Sequence, residues 1–120
     1  MRTVLVVEDD PDLRAIERAA LEHGGFEVVT ANNGAEALRA LTHIPMPAVI
    51  VLDLMMPVMD GREFRERQLE NPVWSEIPVI VISAYSDVEQ QARALALDHL
   101  RKPLAIRPLI DAIRRHVAAS

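Results

Sequence analysis

The sequence predicts an α/β domain in which a parallel sheet is covered by helices on both faces. Short runs of aliphatic residues alternate with segments of helical periodicity along the whole chain. Two of these runs, residues 48–52 and 78–82, are continuously apolar, as expected of central strands that are buried on both sides. Alternation of this kind is typical of consecutive βα units, whose strands lie parallel in one sheet.

Each predicted element follows from local sequence signals. The five predicted strands are residues 4–7, 26–31, 48–52, 78–82 and 97–101. The predicted helices are residues 11–23, 35–42 and about 60–70, a helix that starts near residue 86, and residues 106–117. No repeat, linker or low-complexity segment separates these elements, so the chain is expected to form one domain over residues 1–120.

The first two βα units have clear boundary signals. Asp10 provides an N-cap and Pro11 a proline in the first turn of the first helix, and Gly24 and Gly25 end that helix. The Asn-Asn-Gly sequence at residues 32–34 predicts a turn between the second strand and the second helix.

The later units are marked by prolines and by one capping pattern. Pro45 and Pro47 bracket the connection into the third strand. The Ser-Asp-Val-Glu sequence at residues 86–89 is a capping-box pattern, which predicts the start of the fourth helix. In the last helix Ala105 cannot act as a cap, and Pro108 is compatible with the helix only because it lies in the first turn. That helix is predicted by an apolar stripe made of Ile106, Leu109, Ile110, Ile113 and Val117.

The composition excludes several classes of protein. Half of the 120 residues are hydrophobic but only 3% are aromatic, so the core is expected to be aliphatic. The chain has no cysteine, which excludes disulfides and thiolate metal sites. A net charge of −5 without a basic patch argues against direct binding to nucleic acid. No apolar run is long enough for a membrane span or a signal peptide, so we expect a soluble, cytoplasmic protein without membrane insertion.

Polar residues collect at one edge of the predicted sheet. Glu8 and Asp9 follow the first strand, Asp53 the third, Ser83 the fourth and Lys102 the fifth. Ligands of open α/β sheets bind at the carboxyl ends of the strands. In the flavodoxin-like strand order 2-1-3-4-5, the first and third strands are neighbours at the point where the order reverses. Glu8, Asp9 and Asp53 are therefore expected to converge.

This set of side chains is suited to phosphoryl transfer. Three carboxylates in a small space repel each other, and a hard divalent cation relieves that repulsion. Mg²⁺ is the expected ion, with Mn²⁺ as a substitute, because both accept carboxylate oxygen ligands. The ammonium of Lys102 and the hydroxyl of Ser83 would complement the cation around the oxygens of a phosphoryl group. Asp53 is the expected nucleophile because it follows the most buried strand.

Four motifs carry a resemblance when they are read together. They are Val4-Leu5-Val6-Val7-Glu8-Asp9-Asp10, Leu52-Asp53-Leu54-Met55-Met56-Pro57-Val58-Met59-Asp60-Gly61, Ile80-Val81-Ile82-Ser83-Ala84 and Lys102-Pro103-Leu104. Together they resemble the receiver domains of two-component response regulators, in particular single-domain, chemotaxis-regulator-like members. The motifs occur in the family's order and spacing and extend nearly from one end of the chain to the other. Each motif alone is weak, but the combination is highly specific.

The resemblance implies a donor, an acceptor and a metal site. A phosphohistidine on a sensor histidine kinase or a histidine phosphotransfer protein would donate its phosphoryl group to Asp53 in a Mg²⁺-dependent reaction. Glu8, Asp9 and Asp53 would hold the ion by their side chains, directly or through water, and Met55 would add its backbone carbonyl.

The resemblance also implies how the phosphoryl group is retained and how the signal leaves. Ser83 would bond the new phosphoryl group and Lys102 would pair with it. Met55 and Tyr85 occupy the two positions that flank the phosphoryl group in the family. Neither side chain is a good base and both can obstruct water, so we expect slow self-dephosphorylation. A downstream protein would bind the face made by the fourth helix, the fifth strand and the last helix.

Three departures from the family pattern lie near that face. The family's aromatic switch residue, three positions before the lysine, is replaced by His99, whose ring is smaller and more polar than a phenol. The glycine usual before the fifth strand is Leu95, and residues 105–108 replace the usual capped start of the last helix. His99 is therefore the candidate switch residue at which this chain differs from its family.

Two other functions fit part of the sequence. A phosphohydrolase of the haloacid-dehalogenase type would need an acid at Met55 and a cap domain over the site. A receiver-like interaction module that no longer takes phosphate would tolerate His99, but it would not need the intact acids, Ser83 and Lys102. The expected protein is a signalling switch with no output domain in this chain, and not a conventional enzyme.

Overall fold

Strands and helices alternate along the chain, as the sequence predicts. The structure is a computed structural model that describes residues 2–54, 56–83, 98–101 and 106–119. The strands are β1 (Thr3–Val7), β2 (Glu27–Ala31), β3 (Val49–Asp53), β4 (Val79–Ser83) and β5 (Asp98–Arg101). The helices are α1 (Pro11–His23), α2 (Gly34–Leu41), α3 (Gly61–Glu70) and α4 (Ile106–Ala119). The helix predicted to start near residue 86 lies outside the described residues.

The strands form one parallel sheet in the order β2-β1-β3-β4-β5. The predicted order of the first four strands is confirmed. The short strand β5 pairs with β4, with Ser83 opposite Arg101. In the centre, Val7 of β1 is opposite Leu52 of β3. The residues that follow this pair, Glu8 and Asp53, therefore leave the sheet side by side.

Two aliphatic cores cover the two faces of the sheet. On one face, Leu5 and Val7 of β1 pack with Phe64 of α3 and with residues of α2. On the other face, Val4 and Val6 pack with residues of α1 and α4. Successive strand residues point to opposite faces, so each central strand supplies both cores. The prediction that helices cover both faces is confirmed.

Side-chain caps set where the helices begin. Asp10 caps α1 by accepting hydrogen bonds from the backbone N–H groups of Asp12 and Leu13, as the sequence predicts. Helix α2 begins one residue earlier than predicted, because Asn33 accepts a hydrogen bond from the N–H of Glu36 and acts as the cap. None of the helices that the structure describes is long and apolar enough to span a bilayer.

Candidate functional site

Three carboxylates meet at the carboxyl edge of the sheet. Glu8, Asp9 and Asp53 each offer one oxygen, and these three oxygens lie within 4.8 Å of one another. Glu8 is 1% exposed and Asp53 4% exposed, whereas Asp9 faces solvent. The structure thus brings together the three acids that the strand order predicts to converge.

The turn between β1 and α1 fixes the first two acids. The N–H of Glu8 donates to the carbonyl oxygen of Ala31 at 3.0 Å, so Glu8 continues the bonding of β1 to β2. Its Oε2 accepts a 3.2 Å hydrogen bond from the N–H of Asp10. Its carbonyl oxygen accepts a 2.9 Å hydrogen bond from Nη1 of Arg14. The chain therefore turns from strand to helix within three residues, and Asp10 acts as the cap of α1.

Asp53 is held by the backbone on either side of it. It is the last residue of β3, and the next residue, Leu54, donates its N–H to Ile82 of β4 at 3.3 Å. Gly61 at the start of α3 then donates its N–H to the carbonyl oxygen of Leu54 at 3.0 Å. A Cβ on Gly61 would lie 2.7 Å from the carbonyl oxygen of Asp53. Helix α3 thus packs directly against the backbone of Asp53 because residue 61 has no side chain.

The variant Gly61→Ala is expected to lower the free energy of unfolding by about 1–3 kcal/mol, as overpacking does. The new Cβ would meet two backbone groups, the Asp53 carbonyl oxygen and the Leu54 Cα at 2.8 Å, and neither can rotate away. Urea unfolding measures the change. The control is Gly24→Ala, whose Cβ would meet the Leu21 carbonyl oxygen at 3.4 Å. Equal effects of the two variants would contradict the close packing of α3 on Asp53.

The segment between β3 and α3 also contacts α2. The N–H of Gly34 donates to the carbonyl oxygen of Met59 at 3.0 Å, and a Cβ on Gly34 would lie 2.7 Å from Cγ of Met59. Val58 in the same segment has a φ of 69° and is 84% exposed. A β-branched residue in the left-handed region is strained by roughly 1–3 kcal/mol. Strain of this kind is common beside functional sites.

The donor set of the acidic cluster fits a hard divalent cation. All three ligands are carboxylate oxygens, which are the donors that Mg²⁺ prefers. Two of the carboxylates are buried, so removal from water adds to their mutual repulsion. A cation among the three would offset both costs. The cluster could therefore bind Mg²⁺.

Some predicted site residues lie outside the described residues, and others have only their backbone described. Met55, Tyr85 and Lys102 lie outside the described residues. Only the backbone of Ser83 and His99 is described: Ser83 ends β4, one residue beyond the partner of Asp53, and His99 of β5 pairs with Val81. The roles assigned to these five residues remain predictions.

Sequence reasoning missed three residues with polar side chains on helices. Arg14 bonds the turn of the acidic cluster, Glu17 is buried in α1, and Gln68 is buried in α3. The amide of Gln68 donates to the carbonyl oxygens of Trp74 and Ile77, which ties α3 to the connection before β4. Glu17 lies four residues after Leu13 and four before Leu21, so its position in the apolar stripe of α1 is a signal that could have indicated it. The polar sequence of α3 gives no such signal for Gln68.

Next to Gln68 in the structure lies Arg65, a partly buried arginine of α3. Its Nη1 donates to Oε1 of Gln68 at 2.9 Å. Partial burial lowers the pKa of the Arg65 guanidinium, because the charged form is less well solvated. An arginine remains protonated under ordinary conditions despite such a shift. The pair therefore contributes to the packing of α3 and not to the acidic cluster.

The parallel sheet and the acidic cluster at its switch point agree with what comparisons with known proteins show. The model of the response regulator receiver domain family matches residues 4–114. This chain belongs to that family. The resemblance read from the sequence motifs is confirmed.

Individual relatives and solved structures agree with the family match. The transcriptional regulatory protein PrrA of Mycobacterium tuberculosis is 41% identical over 116 residues, which cover 92% of this chain and 48% of PrrA. The chain thus spans about half the length of the PrrA proteins of three Mycobacterium strains that it matches. The receiver domain of the Francisella response regulator 1452 has a TM-score of 0.89 and 28% identity, covering 99% of this chain and 98% of that one.

A further solved structure contains ligands. The response regulator TrrA of Thermotoga maritima, in complex with Mg²⁺ and BeF, has a TM-score of 0.85 and 26% identity, covering 97% of this chain and 99% of that one. Receiver domains are regulatory domains of two-component systems, not conventional enzymes, and they act in phosphorylation-dependent signalling. The predicted class of function is confirmed at this level.

Proposed function

We propose that this chain is the phosphorylation-activated switch of a two-component phosphorelay, with Asp53 as the phosphoryl acceptor. The observation that carries the proposal is the position of Asp53. It is buried at the end of the central strand β3, and its carboxylate lies within 4.8 Å of ligand oxygens of Glu8 and Asp9. Of the three acids in this cluster, Asp53 is the one that belongs to a strand, because Glu8 and Asp9 follow the last residue of β1.

In the proposed reaction, a carboxylate oxygen of Asp53 attacks the phosphorus of a phosphohistidine on a sensor histidine kinase or a histidine phosphotransfer protein. The bond between oxygen and phosphorus forms as the bond between phosphorus and imidazole nitrogen breaks, and the leaving imidazole takes up a proton. Asp53 is suited to this role because the backbone contacts with α3 hold its main chain in place.

The acidic cluster prepares the site for the incoming negative charge. Glu8, Asp9 and Asp53, with the backbone carbonyl of Met55, would hold Mg²⁺, and the ion would supply positive charge next to the oxygens of the transferring phosphoryl group. The Mg²⁺ and BeF complex of the relative TrrA supports this assignment. Mn²⁺ has the same preference for oxygen ligands and substitutes for Mg²⁺.

The remaining residues read out the phosphorylated state. Ser83 donates its hydroxyl to the phosphoryl group, and Lys102 pairs with it. The resulting shift reaches His99 on β5 and changes the surface made by residues 86–97, β5 and α4. A downstream protein binds that surface, or the phosphoryl group passes on to a further histidine. His99 replaces the family's usual aromatic residue, so this step differs in detail from that of its relatives.

One experiment distinguishes the proposal from its alternatives. The protein is incubated with Mg²⁺ and acetyl phosphate, and its mass and the fate of the donor are measured. The proposal predicts one labile acyl-phosphate per chain. Turnover of an external phosphomonoester without a stable label would indicate a phosphohydrolase. Absence of any label would indicate an interaction module that does not take phosphate.

The lifetime of the phosphorylated state is expected to depend on Met55 and Tyr85. Hydrolysis needs a water in line behind the phosphorus, and a flexible apolar chain and a bulky ring both obstruct that approach. Replacing Met55 by Asn and Tyr85 by Ser should speed loss of the label several-fold, which is about 1 kcal/mol in the barrier. Decay in excess Mg²⁺ after removal of the donor measures this rate. A double mutant that decays no faster than the wild type would show that these side chains do not gate the water.

A further inference from the structure

The turn that carries Glu8 and Asp9 is held from the helix side by Arg14. Nη1 of Arg14 reaches back six residues along the chain and donates a 2.9 Å hydrogen bond to the carbonyl oxygen of Glu8. Both residues are at least partly buried. A guanidinium donor makes a stronger hydrogen bond than a neutral group does. This contact is therefore a strong link between α1 and the acidic cluster.

A second arginine on the same helix shows what an ordinary helical arginine does. Arg18 lies one turn further along α1, its side chain is 51% exposed, and its Nε lies 3.6 Å from Glu22. That pair is a surface ion pair between residues i and i+4, which contributes little. Arg14 instead turns inward and bonds main chain. The two residues share a type and a helix but differ in their contact with the site.

The acceptor of the Arg14 hydrogen bond is part of the peptide group that links Glu8 to Asp9. The carbonyl oxygen of Glu8 belongs to the planar peptide group that joins Glu8 to Asp9. Fixing that oxygen fixes the orientation of the plane, and with it the directions in which the two side chains leave the backbone. The hydrogen bond from the N–H of Asp10 to Oε2 of Glu8 restrains the same turn from its other end.

We propose that Arg14 is a positioning residue for the metal site: its bond to the Glu8 carbonyl orients the Glu8 and Asp9 carboxylates toward Asp53. This inference rests on the proposed function and adds to it the residue that holds two of its ligands in place. Arg14 touches neither the ion nor the phosphoryl group. It acts only through the turn.

The direction in which removal of Arg14 changes the Mg²⁺ affinity distinguishes a positioning role from a purely electrostatic one. If Arg14 acted only as a positive charge near the site, its removal would strengthen the binding of a cation. If Arg14 positions the ligands, its removal weakens binding, because the carboxylates must be ordered when the ion binds. Loss of a residue that orients metal ligands typically weakens metal affinity by about 10–100-fold.

The test measures Mg²⁺ affinity by calorimetric titration for the wild type and for the variants Arg14→Ala, Arg14→Lys and Arg18→Ala. Arg14→Ala is expected to weaken binding about tenfold, which is about 1.4 kcal/mol. Arg14→Lys should recover part of the loss because it keeps a charged donor. Arg18→Ala removes the same charge from the same helix and should stay within about twofold of the wild type. The Mg²⁺ concentration for half-maximal labelling should shift in parallel with the affinity.

Each other outcome has a definite meaning. A purely structural role for Arg14 would lower the melting temperature but leave the Mg²⁺ affinity of the folded protein unchanged, and that result would overturn the inference. Tighter binding by Arg14→Ala would overturn it as well. If Arg14→Ala does not unfold cooperatively, Arg14→Gln, which retains high helix propensity, takes its place with the same expectation. A wild type that neither binds Mg²⁺ nor takes a label would contradict the proposed function itself.

Discussion

The variant Asp53→Asn is expected to lose all labelling by a phosphodonor while it keeps the fold. An asparagine amide has nearly the same shape as the carboxylate but cannot form an acyl-phosphate. Asp53 is 4% exposed, so the near-identity of size matters for the packing around it. Intact-mass measurement after incubation with Mg²⁺ and acetyl phosphate gives the labelled fraction, and thermal unfolding gives the stability.

The matched control for this variant is Asp60→Asn. Asp60 undergoes the same chemical change seven residues later, at the exposed N-cap of α3, where it accepts the N–H of Glu63 at 3.0 Å. Asparagine caps helices as well as aspartate does, so this variant should fold and label like the wild type. Full labelling of Asp53→Asn would show that Asp53 is not the phosphoryl acceptor. Loss of labelling in both variants would point to a general effect of lost negative charge.

The double variant Glu8→Gln with Asp9→Asn is expected to weaken Mg²⁺ binding by at least about 100-fold, or about 2.8 kcal/mol. Two of the three converging charges are removed, and neutral amides are poor substitutes as ligands for Mg²⁺. The same change should raise the melting temperature without Mg²⁺, because the repulsion among the carboxylates is relieved. The Mg²⁺ affinity is expected to fall while the melting temperature rises, and a general loss of structure would lower both.

Two acids on α1 provide the control for charge. Asp12→Asn with Glu22→Gln removes the same number of negative charges from the neighbouring helix without touching the cluster, and both residues are exposed. This control should leave the Mg²⁺ affinity within about twofold of the wild type, since charges between exposed groups are well screened. Unchanged Mg²⁺ affinity in the Glu8 and Asp9 variant would show that the ion binds elsewhere.

The fold was predictable because the hydrophobic pattern of each predicted strand and helix fits one parallel sheet that is covered by helices on both faces. Residues 48–52 are continuously apolar because β3 is covered on both faces, and this burial identifies the centre of the sheet. The ends of elements were less predictable. Asn33 reads as a turn residue in the sequence, but its side chain bonds the N–H of Glu36 and so makes it the cap of α2.

The site was predictable where topology alone decides proximity. Glu8 and Asp53 lie at the carboxyl ends of neighbouring parallel strands, so their convergence requires only the strand order. The contact of Arg14 with Glu8 was not predictable, because it depends on the rotamer of Arg14, and the other arginine of α1, Arg18, is exposed. The burial of Glu17 and Gln68 depends likewise on how α1 and α3 are rotated against the sheet.

If Asp53 receives the phosphoryl group, the label on the wild-type protein must be located at that residue. The protein is labelled with acetyl phosphate in the presence and absence of Mg²⁺ and then reduced with borohydride, which converts an aspartyl-phosphate to homoserine. Peptide mass spectrometry then identifies the modified position. We expect homoserine at position 53 alone, and only when Mg²⁺ was present. Modification at Asp9, at Asp60 or at a hydroxyl residue, or labelling that does not need Mg²⁺, would contradict it.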